Sequence, residues 1–211
     1  MLYLKSEIEN IGVWGIWRID ESIEDLLAMF HSKESLTDIL SIKSQSRILE
    51  KLAVRVLLKE LSGNEEYICY EESGKPYLKD RNYHISISHT KGYVAVILSE
   101  RCSVGIDIEQ ITDKVRHVQS KYISNKEYID PEQELIHLLL HWSAKEAIYK
   151  VLNIEGIELK EEVIVEQFIP EPEGVFQAIE KRQCRVLNVY YLVNSDFVLT
   201  YVMLDSQPLY K

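Results

Sequence analysis

Two carboxylates share one face of a short strand-like segment, Gly105–Glu109. Apolar and acidic residues alternate along it, which places Asp107 and Glu109 together on the face opposite the two isoleucines. Neighbouring carboxylates repel one another unless a cation lies between them, and oxygen ligands of this kind suit magnesium or manganese. The same alternation is typical of a half-buried strand with a solvated acidic face, so the segment alone leaves both interpretations open.

A third carboxylate and a lysine lie on the strongest predicted helix, residues 135–152. A stripe at the helical period is formed by Leu135, Leu138, Leu139, Trp142 and Tyr149. Glu146 falls on that stripe and is predicted to point inward, where a carboxylate is costly unless it is paired or metal-bound. The pattern therefore favours a three-carboxylate site of Asp107, Glu109 and Glu146. Lys150, one turn after Glu146, either pairs with Glu146 or holds a phosphate.

A histidine ends another predicted strand. Polar and apolar residues alternate over residues 83–88, and His89 follows directly, beside a hydroxyl, a lysine and a glycine. A lone histidine is more often structural than catalytic. The end of a strand is nevertheless a place where a phosphate could be received. No serine has the G-x-S-x-G surroundings of a serine hydrolase.

The first half of the chain carries helices and then strands. Ile11–Ile19 predicts a strand followed by a helix with an acidic first turn, and Ile48–Leu57 predicts a longer helix that Gly63 ends. From residue 65 the pattern changes, and we expect an antiparallel meander of Tyr67–Tyr70, Tyr83–Ser88, Tyr93–Leu98 and Val104–Glu109.

The second half repeats this mixture of elements. After the helix at 135–152 come four predicted strands, Val163–Phe168, Val175–Ile179, Arg185–Val193 and Phe197–Leu204. Each half thus combines helices with a small antiparallel sheet, which predicts an α+β protein of two similar lobes. We expect an N-terminal lobe of residues 1–103 and a C-terminal lobe of residues 104–211, closely packed because no flexible linker separates them.

Composition narrows the classes of function. The 211 residues include 24 Lys and Arg against 34 Asp and Glu, a net charge of -10, so a nucleic-acid partner is not expected. The longest aliphatic run, Tyr93–Leu98, is too short to cross a bilayer, and no membrane association is expected. Three widely spaced cysteines without a CxxC pair predict reduced thiols in a cytoplasmic protein.

Three motifs, in order and spacing, resemble those of the 4'-phosphopantetheinyl transferases: Ile87–His89, Gly105–Glu109 and Trp142–Lys150. The likeness is closest to the large, monomeric, surfactin-synthetase-activating type. Supporting matches are Gly74–Pro76, Ser46–Leu49 and Lys121–Tyr128. The resemblance implies a pseudo-dimer of two lobes with the active site in the cleft between them. It also implies transfer of the phosphopantetheine arm of coenzyme A to a carrier-protein serine, with release of adenosine 3',5'-bisphosphate.

The resemblance also implies a role for each motif residue. Asp107, Glu109 and Glu146 would hold magnesium, with manganese as the possible substitute. Glu146 would be the general base, acting directly or through a metal-bound water, and Lys150 would contact the coenzyme A phosphates as a second catalytic residue. The 3'-phosphate and the adenine would be surrounded by Arg47, Lys75, Ser88 and His89. Lys33 and Lys43 do not align with the lysines that the family uses upstream, and they are left out of the site.

Carrier proteins are acidic, and one segment of this acidic chain is basic. Residues 111–128 carry a charge of +2, while the rest of the chain carries -12. A local basic surface can steer an acidic partner, because screening favours short-range charge. We expect an acyl or peptidyl carrier protein to dock near Lys114, Arg116, Lys121 and Lys126, although a solvated surface loop has the same composition.

Two other functions stay open. Three acids and a lysine also suit a metal-dependent phosphodiesterase. A non-catalytic module that binds coenzyme A or a carrier protein would retain the same acids as structure.

Overall fold

The protein is described by a computed structural model that covers residues 1–31 and 36–205. Lys33 lies outside these ranges. The chain divides into two compact units, an N unit of Met1–Ser103 with Asp205 and a C unit of Val104–Leu204. Both contain antiparallel strands packed with helices, which confirms the predicted α+β class.

The N unit is built on a four-stranded sheet. The strands of the whole N unit are β1 (Leu2–Ile8), β2 (Gly12–Arg18), β3 (Ile68–Tyr70), β4 (Pro76–Leu78), β5 (His84–Thr90) and β6 (Tyr93–Ser99). Its helices are α1 (Ile23–Ala28), α2 (Thr37–Leu40) and α3 (Gln45–Ser62). The sheet is antiparallel with the order β1-β2-β6-β5, while β3 and β4 pair with each other as a separate ribbon.

Local signals define both ends of α3. The Ser44 side chain accepts a hydrogen bond from the backbone N–H of Arg47, and Gly63 ends the helix with a left-handed φ of 79°. Between these caps, fully buried residues such as Leu52 and Leu57 pack in one core with Val94 of β6. The predicted helix and its glycine stop are confirmed.

The predicted meander is wrong except for its antiparallel pair of β5 and β6. β3 and β4 form their own ribbon, and β6 pairs on one side with β5 and on the other with β2 from the start of the chain. β7 (Cys102–Gln110) lies in a different sheet. The strand segments were recognisable, but their partners are set by residues distant in sequence, which local alternation does not encode.

The C unit contains a five-stranded sheet and one long helix. Its elements after β7 are α4 (Lys114–Val118), a 3-10 turn (Gln119–Lys121), α5 (Glu134–Leu152), α6 (Leu159–Glu162), β8 (Val163–Val165), β9 (Glu173–Glu180), β10 (Arg185–Val193) and β11 (Phe197–Asp205). The sheet order is β7-β11-β10-β9-β8. Strands β10 and β11 form a hairpin whose turn, residues 194–196, is held by the Asn194 side chain, which accepts hydrogen bonds from the backbone N–H groups of Asp196 and Phe197.

Helix α5 forms the centre of the C unit. Leu138, Ile148 and other apolar side chains of α5 share a core with Val189 and Val198 of the sheet. Asn153, in a left-handed conformation, ends the helix by donating its N–H to the carbonyl of Tyr149. In the described part of the chain, no helix combines the length and the apolar composition that crossing a membrane requires.

Candidate active site

Strand β7 and helix α5 approach each other closely at Gly105. A Cβ atom at this position would lie 2.0 Å from the carbonyl oxygen of Ala147. No side chain tolerates such a contact with backbone, so glycine is required here for steric reasons. The close approach brings the acidic residues of β7 beside the second half of α5.

Asp107 and Lys150 form an ion pair between these two elements. Asp107 is 4% exposed, and Lys150 Nζ donates to its Oδ1 at 2.8 Å. The same ammonium donates to the carbonyl oxygen of Ile106 at 2.9 Å. A lysine of the helix therefore neutralises the buried carboxylate. The predicted pairing of Lys150 with Glu146 is wrong, because the ion partner of Lys150 is Asp107 of the adjacent strand.

Glu109 is held by the indole of Trp142, whose Nε1 donates to Glu109 Oε1 at 2.7 Å. Burial, and then the charge of Asp107, raise the pKa of Glu109 to about 6, although the indole hydrogen bond and Lys150 act in the opposite direction. The pKa of Glu109 thus responds to the charge of Asp107, as expected for two carboxylates on one face of a strand.

Glu146 belongs to the same electrostatic group. Its pKa is raised by burial and then by the charge of Asp107, and it is lowered by Lys150. Glu146 in turn contributes to the raised pKa of Glu109. The structure therefore brings Asp107, Glu109, Glu146 and Lys150 into one patch of the C unit.

The predicted inward stripe of α5 is only partly correct. Tyr149 is 44% exposed, and both Trp142 and Glu146 are half-buried rather than buried. Most faces of this helix carry apolar residues, so its periodicity does not identify one inward face. Glu146 accordingly lies at the edge of the buried surface, where it remains accessible to a ligand.

The chemistry of this acidic patch fits a hard divalent cation. Its donors are carboxylate oxygens, which magnesium prefers, and their mutual repulsion is what a cation would relieve. Within residues 1–31 and 36–205, no three His, Cys, Asp or Glu side chains already converge as a ligand set. A cation would therefore take over the Asp107 carboxylate that Lys150 holds in this structure.

In the N unit, Arg47 and His89 line one pocket. It has a volume of about 360 Å³ and apolar walls that include Ile39 and Ile87. His89 Nε2 lies 3.4 Å from Glu50 Oε2, and both side chains line the pocket. This combination of cationic side chains and apolar walls could accept a phosphorylated aromatic ligand.

Ser88 and Lys75, the other two residues predicted to bind the nucleotide, also belong to the N unit, but their side chains are placed differently from those of Arg47 and His89. Ser88 is buried, and the strand alternation of β5 directs it to the face opposite His89. Lys75 is half-buried in the turn before β4, where its charge adds to burial in lowering the pKa of His84. Strand alternation in the sequence already implied that Ser88 and His89 would not share a face.

Three of the four predicted docking cations are exposed without a competing ion pair among the described residues: Lys114, Lys121 and Lys126. Arg116 differs, because it pairs with Asp113 at 3.0 Å and with Glu134. These side chains belong to α4, the 3-10 turn and the loop that follows, which all precede α5 in the C unit.

Sequence reasoning missed a buried lysine next to Glu146. Lys145 has no exposed surface and pairs with Glu127, whose side chain is equally buried. A signal was present, since a helix that is apolar on most faces must bury part of its polar residues. The partner was not predictable, because Glu127 lies in an irregular loop.

The chain is similar to known proteins over most of its length. Residues 103–202 match the model of the 4'-phosphopantetheinyl transferase superfamily, a range that contains all four residues of the acidic patch. A Haemophilus influenzae protein provisionally named a 4'-phosphopantetheinyl transferase is 31% identical over 172 residues, which cover 74% of this chain and 70% of that protein. The 4'-phosphopantetheinyl transferase AcpT of Salmonella typhimurium is 30% identical over 157 residues, 71% of this chain and 78% of the relative.

Proposed function

The chain belongs to the 4'-phosphopantetheinyl transferase superfamily and is an enzyme of this class, so we propose that it transfers the 4'-phosphopantetheine arm of coenzyme A to a carrier-protein serine in a magnesium-dependent reaction. Coenzyme A and a carrier protein are the partners that this class implies. The enzyme class decides against the phosphodiesterase and the non-catalytic binding module that the sequence left open.

One observation carries the proposal: a lysine and a half-buried glutamate of α5 face an acidic strand. Lys150 holds Asp107 at 2.8 Å, and burial, followed by the charge of Asp107, raises the pKa of Glu146. Transfer of a phosphoryl group needs a cationic group for the developing charge and a base for the incoming hydroxyl. Lys150 and Glu146 provide these two functions side by side.

In the proposed reaction, the carrier serine oxygen attacks the phosphorus atom of the phosphopantetheine phosphate. The bond from that phosphorus to the adenosine 3',5'-bisphosphate oxygen breaks, and Glu146 accepts the serine proton. Burial favours this role, because it raises the basicity of the Glu146 carboxylate. Lys150 donates hydrogen bonds to the phosphate oxygens on which negative charge accumulates.

Asp107, Glu109 and Glu146 would hold the magnesium ion. When bound, the ion supplies charge neutralisation and Lewis acidity at the pyrophosphate. Trp142 contributes by fixing one oxygen of Glu109, so that the side chain needs less ordering when a ligand arrives. Manganese is the expected substitute, since it accepts the same oxygen ligands.

We assign the nucleotide end of coenzyme A to the pocket of the N unit. Arg47 and His89 are placed to contact the 3'-phosphate, and the apolar wall around Ile87 suits one face of the adenine. Lys75 and Ser88 complete the assignment made from the motifs. The carrier is assigned to the basic residues Lys114, Lys121 and Lys126, with Arg116 in a lesser role because acidic neighbours already pair with it.

The finer classification is also part of the proposal. We place the enzyme with the large, surfactin-synthetase-activating type, as a monomer, because each of its units has its own sheet and its own core. We place it in the cytoplasm, where its three cysteines would stay reduced, in agreement with their free state here.

The test is intact-mass spectrometry of an apo acyl carrier protein incubated with the enzyme, coenzyme A and magnesium. A gain of about 340 Da, the mass of the transferred arm on the serine, is expected. The gain should vanish with EDTA. Absence of any gain on both an acyl and a peptidyl carrier protein would overturn the proposed transfer, and a gain that survives EDTA would overturn its magnesium dependence.

A further inference from the structure

A second ion pair of α5 is closed to solvent. The side chains of Lys145 and Glu127 are both 0% exposed, and Lys145 Nζ donates to Glu127 Oε2 at 2.9 Å. The same ammonium donates to the carbonyl oxygen of Tyr122 at 2.6 Å. Lys145 therefore connects α5 with two points of the loop that precedes it.

Glu127 fixes two further backbone groups. Its Oε2 accepts the N–H of Ser124 at 2.7 Å, and its Oε1 accepts the N–H of Val165 at 2.9 Å. One carboxylate thus ties residues 122–127 to α5 and to β8. These bonds determine the path of the chain between Lys121 and Lys126.

The same loop is packed against Trp142, the residue that holds Glu109 of the acidic patch. The Tyr122 hydroxyl donates to the carbonyl of Leu138 at 3.2 Å, and its ring meets Trp142 edge to face at 5.2 Å. Trp142 in turn donates to Glu109. The fixed loop and the acidic strand therefore contact the same indole.

A buried ion pair adds little net stability compared with apolar residues of the same size, because the cost of desolvation offsets the attraction. It does select one conformation, since other paths of the chain would leave a buried charge without a partner. Here the selected conformation sets the positions of Lys121 and Lys126, which are both exposed.

We propose that Lys145 and Glu127 are positioning residues, which hold Lys121 and Lys126 in the arrangement that an acidic carrier protein binds. This inference rests on the proposed function. Neither side chain would touch the carrier or the reacting atoms, because both side chains are closed to solvent. Their effect is exerted through the backbone of residues 122–127.

Amide hydrogen exchange tests the positioning directly. The double variant Lys145→Met/Glu127→Gln removes both charges, so that no isolated buried charge remains. Its amides in residues 121–127 should exchange about tenfold faster or more, while those of β9 and β10 keep their protection. Ser143→Ala is the matched control, because it breaks a buried hydrogen bond from the same helix to Thr200 without touching the loop.

Steady-state kinetics tests the link to the carrier. In the double variant, KM for the apo carrier protein should rise about tenfold, while KM for coenzyme A and kcat change little. A purely structural role would lower the active fraction, and hence kcat, in both the double variant and Ser143→Ala. Should the double variant not fold, Lys145→Gln/Glu127→Gln also removes both charges but lets the two side chains hydrogen-bond, and it gives the same KM comparison.

The outcomes separate this inference from the proposed function. If the wild-type enzyme transfers no arm, the proposed function is overturned, and the carrier role of the ion pair is overturned with it. If the wild type is active but the variant leaves KM for the carrier and the loop exchange unchanged, only the positioning role is overturned. A selective rise in KM with faster loop exchange supports it.

Discussion

Lys145 and Lys150 lie on the same helix and each pairs with a carboxylate, but only the second pair is open to solvent. The side chains of Lys145 and Glu127 are 0% exposed, whereas that of Lys150 is 26% exposed beside Asp107. The closed pair joins parts of the protein to each other. The open pair presents a cation that a ligand can reach, beside a carboxylate whose own side chain is only 6% exposed.

The difference follows from position on the helix rather than from chemistry. Lys145 lies on the side of α5 that faces the loop around Tyr122, and Lys150 lies on the side that faces β7. The five-residue separation turns the second lysine away from the first by more than a quarter of a turn, at about 100° per residue. Similar ion pairs can therefore serve structure and chemistry within two turns of one helix.

We call the side of α5 that carries Lys150 the open side and the side that carries Lys145 the closed side. The largest effect is expected at the open side. Glu146→Gln removes the base but keeps the side-chain size, so kcat should fall by about 10²- to 10⁴-fold with the fold retained. The readout is arm transfer to the carrier, with circular dichroism and thermal unfolding as checks of the fold. Glu155→Gln, an exposed position of the same unit, is the matched control and should leave kcat unchanged. Full activity of Glu146→Gln would remove Glu146 from the catalytic role.

The next effect compares the two lysines through stability. Lys145→Met leaves Glu127 charged and closed to solvent, so the free energy of unfolding should fall by about 3–5 kcal/mol, with or without magnesium. Lys150→Met should cost less, about 1–3 kcal/mol, because the side chain of Lys150 is 26% exposed and its removal lets water reach the Asp107 carboxylate. Magnesium should restore part of that loss, since a cation can take the place of the ammonium.

Urea unfolding of both variants, with magnesium or with EDTA, measures the difference. Equal magnesium rescue of the two variants would contradict the distinction between a closed and an open pair. So would the absence of rescue in Lys150→Met, since it would show that the acidic patch does not accept the cation in place of lysine.

Much of the open side could be predicted from sequence, because alternation and helical spacing report directly on local geometry. The acidic residues of β7 project as the pattern of Gly105–Glu109 indicates, and α5 extends from Glu134 to Leu152 where residues 135–152 were predicted. The resemblance of three motifs named the enzyme class that the comparisons confirm. The roles assigned to all the site residues stay predictions, both those of the acidic patch and those of Arg47, Lys75, Ser88 and His89.

The closed side could not be predicted, because it depends on contacts between residues distant in sequence. Glu127 lies in irregular chain, and its partners include Val165 of β8, which is 38 residues away. The same limitation explains the wrong meander, since the position of β6 is decided by β2. Gly105 is an intermediate case. Its place in the motif can be read from the sequence, but its close approach to Ala147 is seen only when α5 is packed against β7.

A smaller effect is expected in the pH dependence of the unfolding free energy, and it comes from a buried histidine near Lys145. Burial lowers the pKa of His141, one turn before Lys145, to about 3; a hydrogen bond to the His137 carbonyl opposes this shift, and the charges of His137 and Lys145 add to it. In the unfolded chain this histidine has an ordinary pKa near 6.5, so between pH 6.5 and pH 3 it is protonated there but stays neutral in the folded chain. Stability from this group is therefore complete above pH 6.5 and declines as the pH falls toward 3.

Between pH 7 and pH 5 this histidine should cost about 2 kcal/mol of unfolding free energy. The measurement is the difference in pH dependence between the wild type and His141→Gln, which should lose that part of the slope. His117→Gln, at an exposed position of α4, is the control and should follow the wild type. Identical pH profiles for wild type and His141→Gln would show that the buried side of α5 does not exclude a proton.

The smallest effects concern the exposed cations that the closed pair is proposed to position. Lys121→Ala and Lys126→Ala should each raise KM for the carrier about two- to fivefold at low salt, and the effect should shrink at high salt because these charges are screened. Arg116→Ala should change KM less, since Asp113 and Glu134 already neutralise its charge. Combined with the Lys145→Met/Glu127→Gln change, the loss of Lys121 should add little, because two alterations that act through one misplaced loop are not independent. Full additivity would separate the loop lysines from the buried pair and leave Lys145 without a role in docking.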